Sequence, residues 1–544
     1  MKKIIIAALA LFLSASAFAN NQKGIDFYNA GQLQPAKAFF DNAAQNAETF
    51  YYLGRIAFDQ GRIDEAAACF QKGVQADPAN LLNKIGEGMV LLKQNNLKAA
   101  ADIFKAATGV NKRDADVYIA VAYAYLNNGM ITEARENLEL SRRYNYQNPR
   151  LFLLEGDIYA AENNIGAAAS AFNQALQLDP KLKEAYLKYA RVYYTINPDL
   201  AVERLQQLLQ IDPNCIIAYR EMGEIFFYNR QFTKASEAYS NFFAEGAGIY
   251  SIDDIARYAF ILFSGKEFDR SLEMVKKGLQ QDANHFLLNR LNMYNEYELK
   301  NYDAASQAAN TFFALNSENN KFVALDYIFY GRLLLAQGNT EAALASFKKA
   351  IEIDPSNAEI NKEIAELYSD AKDFDNGLAY YAKFIEASGD KLVNTDYFAY
   401  GQYIYKAASN IVNNNPAPLT PELTAKKDSL LNLADAQFAI VQERAPNSHL
   451  GAFWRGHTKA LMDMTSELGL AKEHYETVVA ILTNPELELT AARQRDLITA
   501  YHYLANYFYS QKMFEDSKIF WNKILELDPA YQPALDAQRL PGIK

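Results

Sequence analysis

The sequence has two cysteines, Cys69 and Cys215, and only 25 glycines and 15 prolines among its 544 residues. Two thiols cannot complete a zinc site alone. Few helix breakers, with plentiful Ala, Leu, Tyr and Phe, fit an all-helical chain. No phosphate-binding loop, His-Glu-x-x-His or Cys-x-x-Cys occurs, so the common motifs of nucleotide, zinc-peptidase and dithiol chemistry are missing. The five histidines are His285, His449, His457, His474 and His502. Four lie between 449 and 502, yet none stands three or four residues from another, as two ligands on one helix face would. They read as surface or core side chains. Carboxylates are spread along solvated helix faces, and no acid–base pair can be assigned. The expectation is no enzyme, no cofactor and no metal. Basic residues are the minority, 54 against 65 acidic, a formal charge of -11. That balance disfavours nucleic acid and anionic lipid as main partners.

Long apolar runs are missing too. Ile4 to Leu13 is too short to cross a bilayer. It follows Lys2 and Lys3 and precedes Ala17-Phe18-Ala19, a small-x-small cleavage signal. Residues 1–19 therefore read as a signal peptide cut after Ala19. Loss of Lys2 and Lys3 takes the formal charge from -11 to -13. The mature chain, about 525 residues, is expected to be periplasmic or secreted, with no integral membrane segment.

One pattern dominates what is present. Ala324 to Asn357 reads as two helices with a tight turn between them. Tyr327, Tyr330, Gly331 and Leu334 share a face of the first helix. Gly338-Asn339 breaks it. Ala343, Phe347 and Ala350 share an inward face of the second. Asp354-Pro355 ends the unit, because Pro cannot continue a helix. This stretch resembles the tetratricopeptide repeat, a helical hairpin of about 34 residues. Gly331, Gly338, Ala343, Phe347, Ala350 and Pro355 fall on the family's signature positions. The resemblance implies an all-α, right-handed superhelical solenoid of about fourteen hairpins.

The pattern recurs along the chain. Gly54, Gly61, Ala66, Phe70 and Pro78 mark a second repeat, and Gly156, Ala168, Phe172 and Pro180 a fifth. Pro78 and Pro180 stand three periods apart. The interval from the small residue of the second helix to the closing Pro also persists near the C-terminus, as in Ala434 to Pro446 and Ser517 to Pro529. The expected organisation is a signal peptide over 1–19, a repeat array over 20–389 and a divergent region over 390–544. That last region has a loop near 413–421 and a terminal capping helix in 530–540. A glycine-containing loop is expected at Gly246-Ala247-Gly248. Cys69 and Cys215 lie about four repeats apart, too far for a disulfide at ~8–10 Å per packed helix. Both are expected unpaired, Cys69 as a small core residue.

By the resemblance, the first helix of each repeat lines a concave groove. Mapping the family's groove positions places Arg191, Arg220, Tyr228, Arg290, Tyr294 and Arg332 there, over repeats six to ten. Arg beside aromatics is the chemistry that carries interface energy. A scaffold holding a protein or peptide in that groove is the expected function. A structural envelope spacer and an enzyme with a site in 390–500 are the alternatives. Oligomeric state is not legible.

Overall fold

The computed structural model describes residues 21–245, 250–315 and 321–543. The leader 1–19 and the Gly246–Gly248 loop lie outside them. Every regular element among the described residues is a helix. From residue 21 onward, consecutive helices pair as antiparallel hairpins, each with a first helix, A, and a second, B.

The hairpin of helices Ala324–Ala336 and Thr340–Ile353 shows why the sequence folds this way. Gly331 lies against Phe347: a Cβ on Gly331 would stand 2.5 Å from Phe347 Cε1. Only glycine lets the ring sit on the backbone of helix A. The same ring-on-glycine contact, sixteen residues apart, joins Gly54 to Phe70, Gly88 to Phe104, Gly156 to Phe172 and Gly223 to Tyr239. The small residue of helix B faces helix A without a gap; Ala66, Ala168 and Ala343 are fully buried. Where that residue is serine, its hydroxyl donates to a helix-A carbonyl, Ser271 to Ala259 at 2.8 Å and Ser517 to Ala505 at 2.9 Å. Gly338, in the turn, has φ +79°, a conformation that glycine reaches without strain.

Caps set the phase. Asn46, Asn80, Asp114 and Asn148 cap four successive A helices through side-chain oxygens, each worth about 1 kcal/mol. Between repeats, an Asp side chain accepts from the amide two residues on, closing a tight turn: Asp77 to Ala79 at 3.0 Å and Asp354 to Ser356 at 3.1 Å.

The chain divides into two compact units between Asn320 and Lys321. The expected change of character at 389/390 falls inside the second unit. There the 3-10 turn Gly389–Lys391 interrupts nothing in the core: Tyr381 stacks on Tyr400 across it at 4.8 Å. Beyond it the hairpin lengthens, to Asn394–Asn414 and Pro421–Arg444, with the expected loop between them. The terminal helix, Gln532–Ala537, buries Ala534 and Ala537. Cys215 is buried, but Cys69 is half exposed, so the core position expected for it is not where it lies; both thiols are free.

Gly331→Leu should lower the stability of the second unit by about 1–3 kcal/mol through overpacking against Phe347. Denaturant unfolding of the two forms measures this, and an unchanged midpoint would mean that the ring moves away freely.

Candidate partner-binding surface

In the first unit, the inward residues of the early A helices meet one another. Tyr28 Oη donates to Asp59 at 2.8 Å, and Arg55 Nη1 to Tyr51 Oη at 2.9 Å. The Arg55 guanidinium also lies over the Tyr28 ring, 5.5 Å from its centroid. Tyr123 donates to Asp157 at 2.8 Å, and Asp157 pairs with Lys188, which also meets Glu184 at 3.1 Å. Burial pushes the Tyr28 and Tyr123 phenols and the Asp157 carboxyl up. Burial would pull Lys188 down, but the Asp157 and Glu184 carboxylates outweigh it and hold the ammonium above its usual range. A void of about 10 Å³ is left among Tyr51, Arg55, Met89 and Tyr123, enough for one water at most.

The first hairpin closes this interior. Asp26 accepts from Lys183 Nζ at 3.2 Å, and Lys183 pairs with Asp212 as well. Phe27 packs on Phe242 at 6.2 Å. Asp26, Asp212 and Cys215 form a group of potential metal-binding atoms, but the Lys183 ammonium is already bonded to both carboxylates. It neutralises the pair that a cation would need. Burial raises Asp26 and pushes the Cys215 thiol up to about 12, so the thiol stays protonated.

The six residues expected in one groove do not share a site. Arg220 is a staple: Nε donates to buried Asp254 at 2.9 Å and Nη1 to Glu221 at 2.8 Å. Gln32, with its amide oxygen turned inward, accepts from Arg220 Nη1 at 3.0 Å. Tyr294 is 3 % exposed, its ring 5.6 Å from Phe263, so it packs in the core and presents no surface. Arg290 spreads over Phe286 and Phe312, 4.8 and 5.5 Å from their centroids. Arg332 belongs to the second unit and pairs with Glu363 of the next A helix. Arg191 is exposed, its guanidinium over the Gly31 turn. Tyr228 is 56 % exposed, with Tyr194 edge-on at 5.2 Å.

Arg257 completes that surface and was missed in the sequence. It lies over Phe227 at 4.6 Å and Tyr228 at 5.6 Å, while Nε meets Glu224 at 3.2 Å. Its repeat lacks the signature residues that fix the frame. Arg257 stands 33 residues after Glu224, a hint that the two meet across neighbouring repeats.

The profiles called tetratricopeptide repeat match residues 47–80, 85–148, 120–183 and 153–214, and the one called TPR repeat matches 331–370. Residues 47–80, 85–214 and 331–370 are tetratricopeptide repeats. It is similar to a TPR repeat-containing protein of Methanocaldococcus jannaschii, 22% identical over 395 residues, 69% of this chain and 63% of the relative. It is also similar to the BBSome complex member BBS4 of Xenopus tropicalis, 28% identical over 127 residues, 23% of this chain and 24% of the relative. The chain thus spans less than two thirds of these relatives. Among solved structures it is similar to the C-terminal part of a TPR repeat-containing protein from Cytophaga hutchinsonii, at 24% identity and a TM-score of 0.41, covering 52% of this chain and 100% of that one. TPR arrays bind protein partners as scaffolds.

The four C-terminal histidines lie within the second TPR unit. His449 Nε2 is 2.9 Å from Asp496, and His502 Nδ1 is 2.9 Å from Tyr531 Oη. His457 sits among the rings of Phe453, Trp454 and Tyr475. Burial lowers His457, His474 and His502. Folding therefore weakens proton binding at these rings. The unfolded chain takes up protons first as pH falls through about 6.5, and stability falls with it. The two tryptophans, Trp454 beside His457 and Trp521 beside His502, are the only ones in the chain. Tryptophan fluorescence should report a lower denaturation midpoint for the second unit at about pH 5.5 than at about pH 7.5. His457→Phe should reduce the difference.

Proposed function

We propose that this chain is an exported, non-enzymatic TPR scaffold that binds a protein or peptide segment along repeats six to eight of its first unit. The observation that carries the reading is Tyr228: a large ring left exposed beside Tyr194 and Arg257, when the other exposed rings among the described residues are Tyr144 and Tyr146. Aromatic rings and arginine are the usual anchors of an interface. The early groove positions support the same placement, because Tyr28, Arg55, Tyr123, Asp157 and Lys188 are already engaged with one another. A partner then meets residues of the later repeats. Arg191 and Tyr228 are both exposed, so their truncation should leave the fold intact. Crosslinking in envelope extract identifies the partner. The double variant Arg191→Ala with Tyr228→Ala should then weaken binding by about 2 kcal/mol, roughly thirtyfold, with an unchanged melt. Unchanged affinity would refute the placement.

The export reading rests on Lys2, Lys3 and Ala17-Phe18-Ala19. Intact-mass measurement of the protein from its native cells should give a chain beginning at Asn20. A chain that retains residues 1–19 would refute cleavage.

A further inference from the structure

In the first five hairpins, the turn between helices A and B places one residue in the left-handed region, and it is always glycine or asparagine. Gly31, Gly61 and Gly129 have φ of 74–75°, and Asn95 and Asn163 have 60°. These residue types accept that conformation. In hairpins seven, eight and nine the same position is Arg230 at 57°, Lys266 at 63° and Lys300 at 62°. A long side chain is strained there, and strain of this kind clusters at functional sites. All three are basic in a chain whose net charge is -11. All three are exposed, and no ion pair holds any of them among the described residues.

Each of the three is bracketed by a pair of aromatic rings, one three residues before it and one two residues after. The pair around Arg230 is Phe227 and Phe232, with ring centroids 6.1 Å apart; around Lys266 it is Phe263 and Phe268, 5.6 Å apart; and around Lys300 it is Tyr297 and Tyr302, 6.1 Å apart. The basic residue's own N–H donates to the carbonyl of the first ring's residue at 2.9 Å in every case. In repeats two to five the corresponding pairs are Phe58 with Ile63, Leu92 with Leu97, Leu126 with Ile131, and Ala160 with Ile165. None of those has two rings. The cation and its bracket thus arrive together, in three consecutive repeats, along one edge of the first unit. The second unit has one full copy, Tyr509 and Phe514 around Lys512, and one cation without the ring pair, Lys372 at φ 59°, with Ser369 before it and Phe374 after.

We propose that this edge docks an acidic linear segment of a partner protein, with Asp or Glu about every third residue and apolar side chains between. The proposal rests on the reading that the array binds a protein segment, and it names the chemistry of that segment. The spacing follows from the stack. Helices Ile252–Ser264 and Phe286–Glu298 pack on each other, which sets a step of about 8–10 Å. Extended chain covers about 3.3 Å per residue, so roughly three residues span one step. The cations would take the carboxylates, and the rings beside them the apolar residues. The surplus of acid elsewhere repels an acidic segment from other faces and a polyanionic nucleic acid from the whole chain.

The test is fluorescence anisotropy with a labelled peptide of about twelve residues that repeats Glu-Val-Pro, beside the same peptide with Gln for Glu. The full chain should prefer the Glu peptide by about tenfold or more, and the preference should fade with salt. The triple variant Arg230→Gly, Lys266→Gly and Lys300→Gly should lose the preference. It should melt no lower than the parent, since glycine suits the left-handed turn. The proposal is overturned if the two peptides bind alike, if the triple variant keeps the preference, or if single-stranded DNA of matched charge binds more tightly than the Glu peptide. If the triple variant keeps the preference while a crosslinked partner still depends on Arg191 and Tyr228, the acidic-segment proposal fails alone and the scaffold reading stands.

Discussion

A ring resting on a glycine sets the approach of the two helices in a hairpin, and much of the molecule follows from that contact. Gly331 under Phe347 leaves no room even for a Cβ, so the helices meet at backbone distance along one line. Close packing of this kind is intolerant of added volume. The contact outlasts the repeat length. In the long hairpin of the second unit Gly401 lies under Phe438, 37 residues away, and in the hairpin after it, His449–Met462 with Lys472–Leu482, Gly456 lies under Tyr475, 19 residues away. Extra residues are accommodated on either side of the turn, beyond the point where the ring sits.

A fixed hairpin fixes which side chains meet between hairpins. Tyr123 reaches Asp157, Arg220 reaches Asp254 and Lys362 reaches Asp396, each pair 34 residues apart. Lys188 with Asp157 and Arg332 with Glu363 are 31 apart. These pairs occupy the face that would otherwise greet a partner. A cation placed on that face by the periodicity of its helix is therefore free or engaged according to the residue one repeat later. Arg220 and Arg332 each find a carboxylate there, so both charges are tied to the stack, Arg220 with its side chain 15 % exposed and Arg332 with its side chain 39 % exposed.

This explains what could be read from the amino-acid sequence and what could not. The hairpins, their glycines, their closing prolines and the loop after Asn414 were legible, because each is a local signal with a mechanism. The burial of Tyr294 was not. The frame of its degenerate repeat placed it one helix face away from the core, and a shift of a residue or two rotates a side chain by about 100° or more. Arg257 was hidden for the same reason. The division between Asn320 and Lys321 left no composition signal, whereas the lengthened repeats after Gly389 did, although the core runs through them without a break.

The closure of the first unit adds a constraint that a simple stack lacks. In a linear repeat array each hairpin touches its neighbours only, and stability is a sum of local terms. Here Asp26 bonds Lys183 across 157 residues of sequence, and Phe27 meets Phe242. The first hairpin therefore depends on the sixth and seventh, and it seals an interior in which Arg55, Tyr123 and Lys188 are already engaged. Opening that interior to a partner would expose a carboxylate pair at Asp26 and Asp212 that Lys183 now neutralises. It would also uncover the apolar rings behind that pair. Both costs are avoided if partners bind outside the seal, where Arg191 and Tyr228 already face solvent. Repeat seven completes the closure and repeats eight and nine follow it, and it is from repeat seven to repeat nine that the left-handed turns carry arginine and lysine in place of glycine and asparagine. Under the proposed reading, the early repeats serve the fold and the later edge serves recognition.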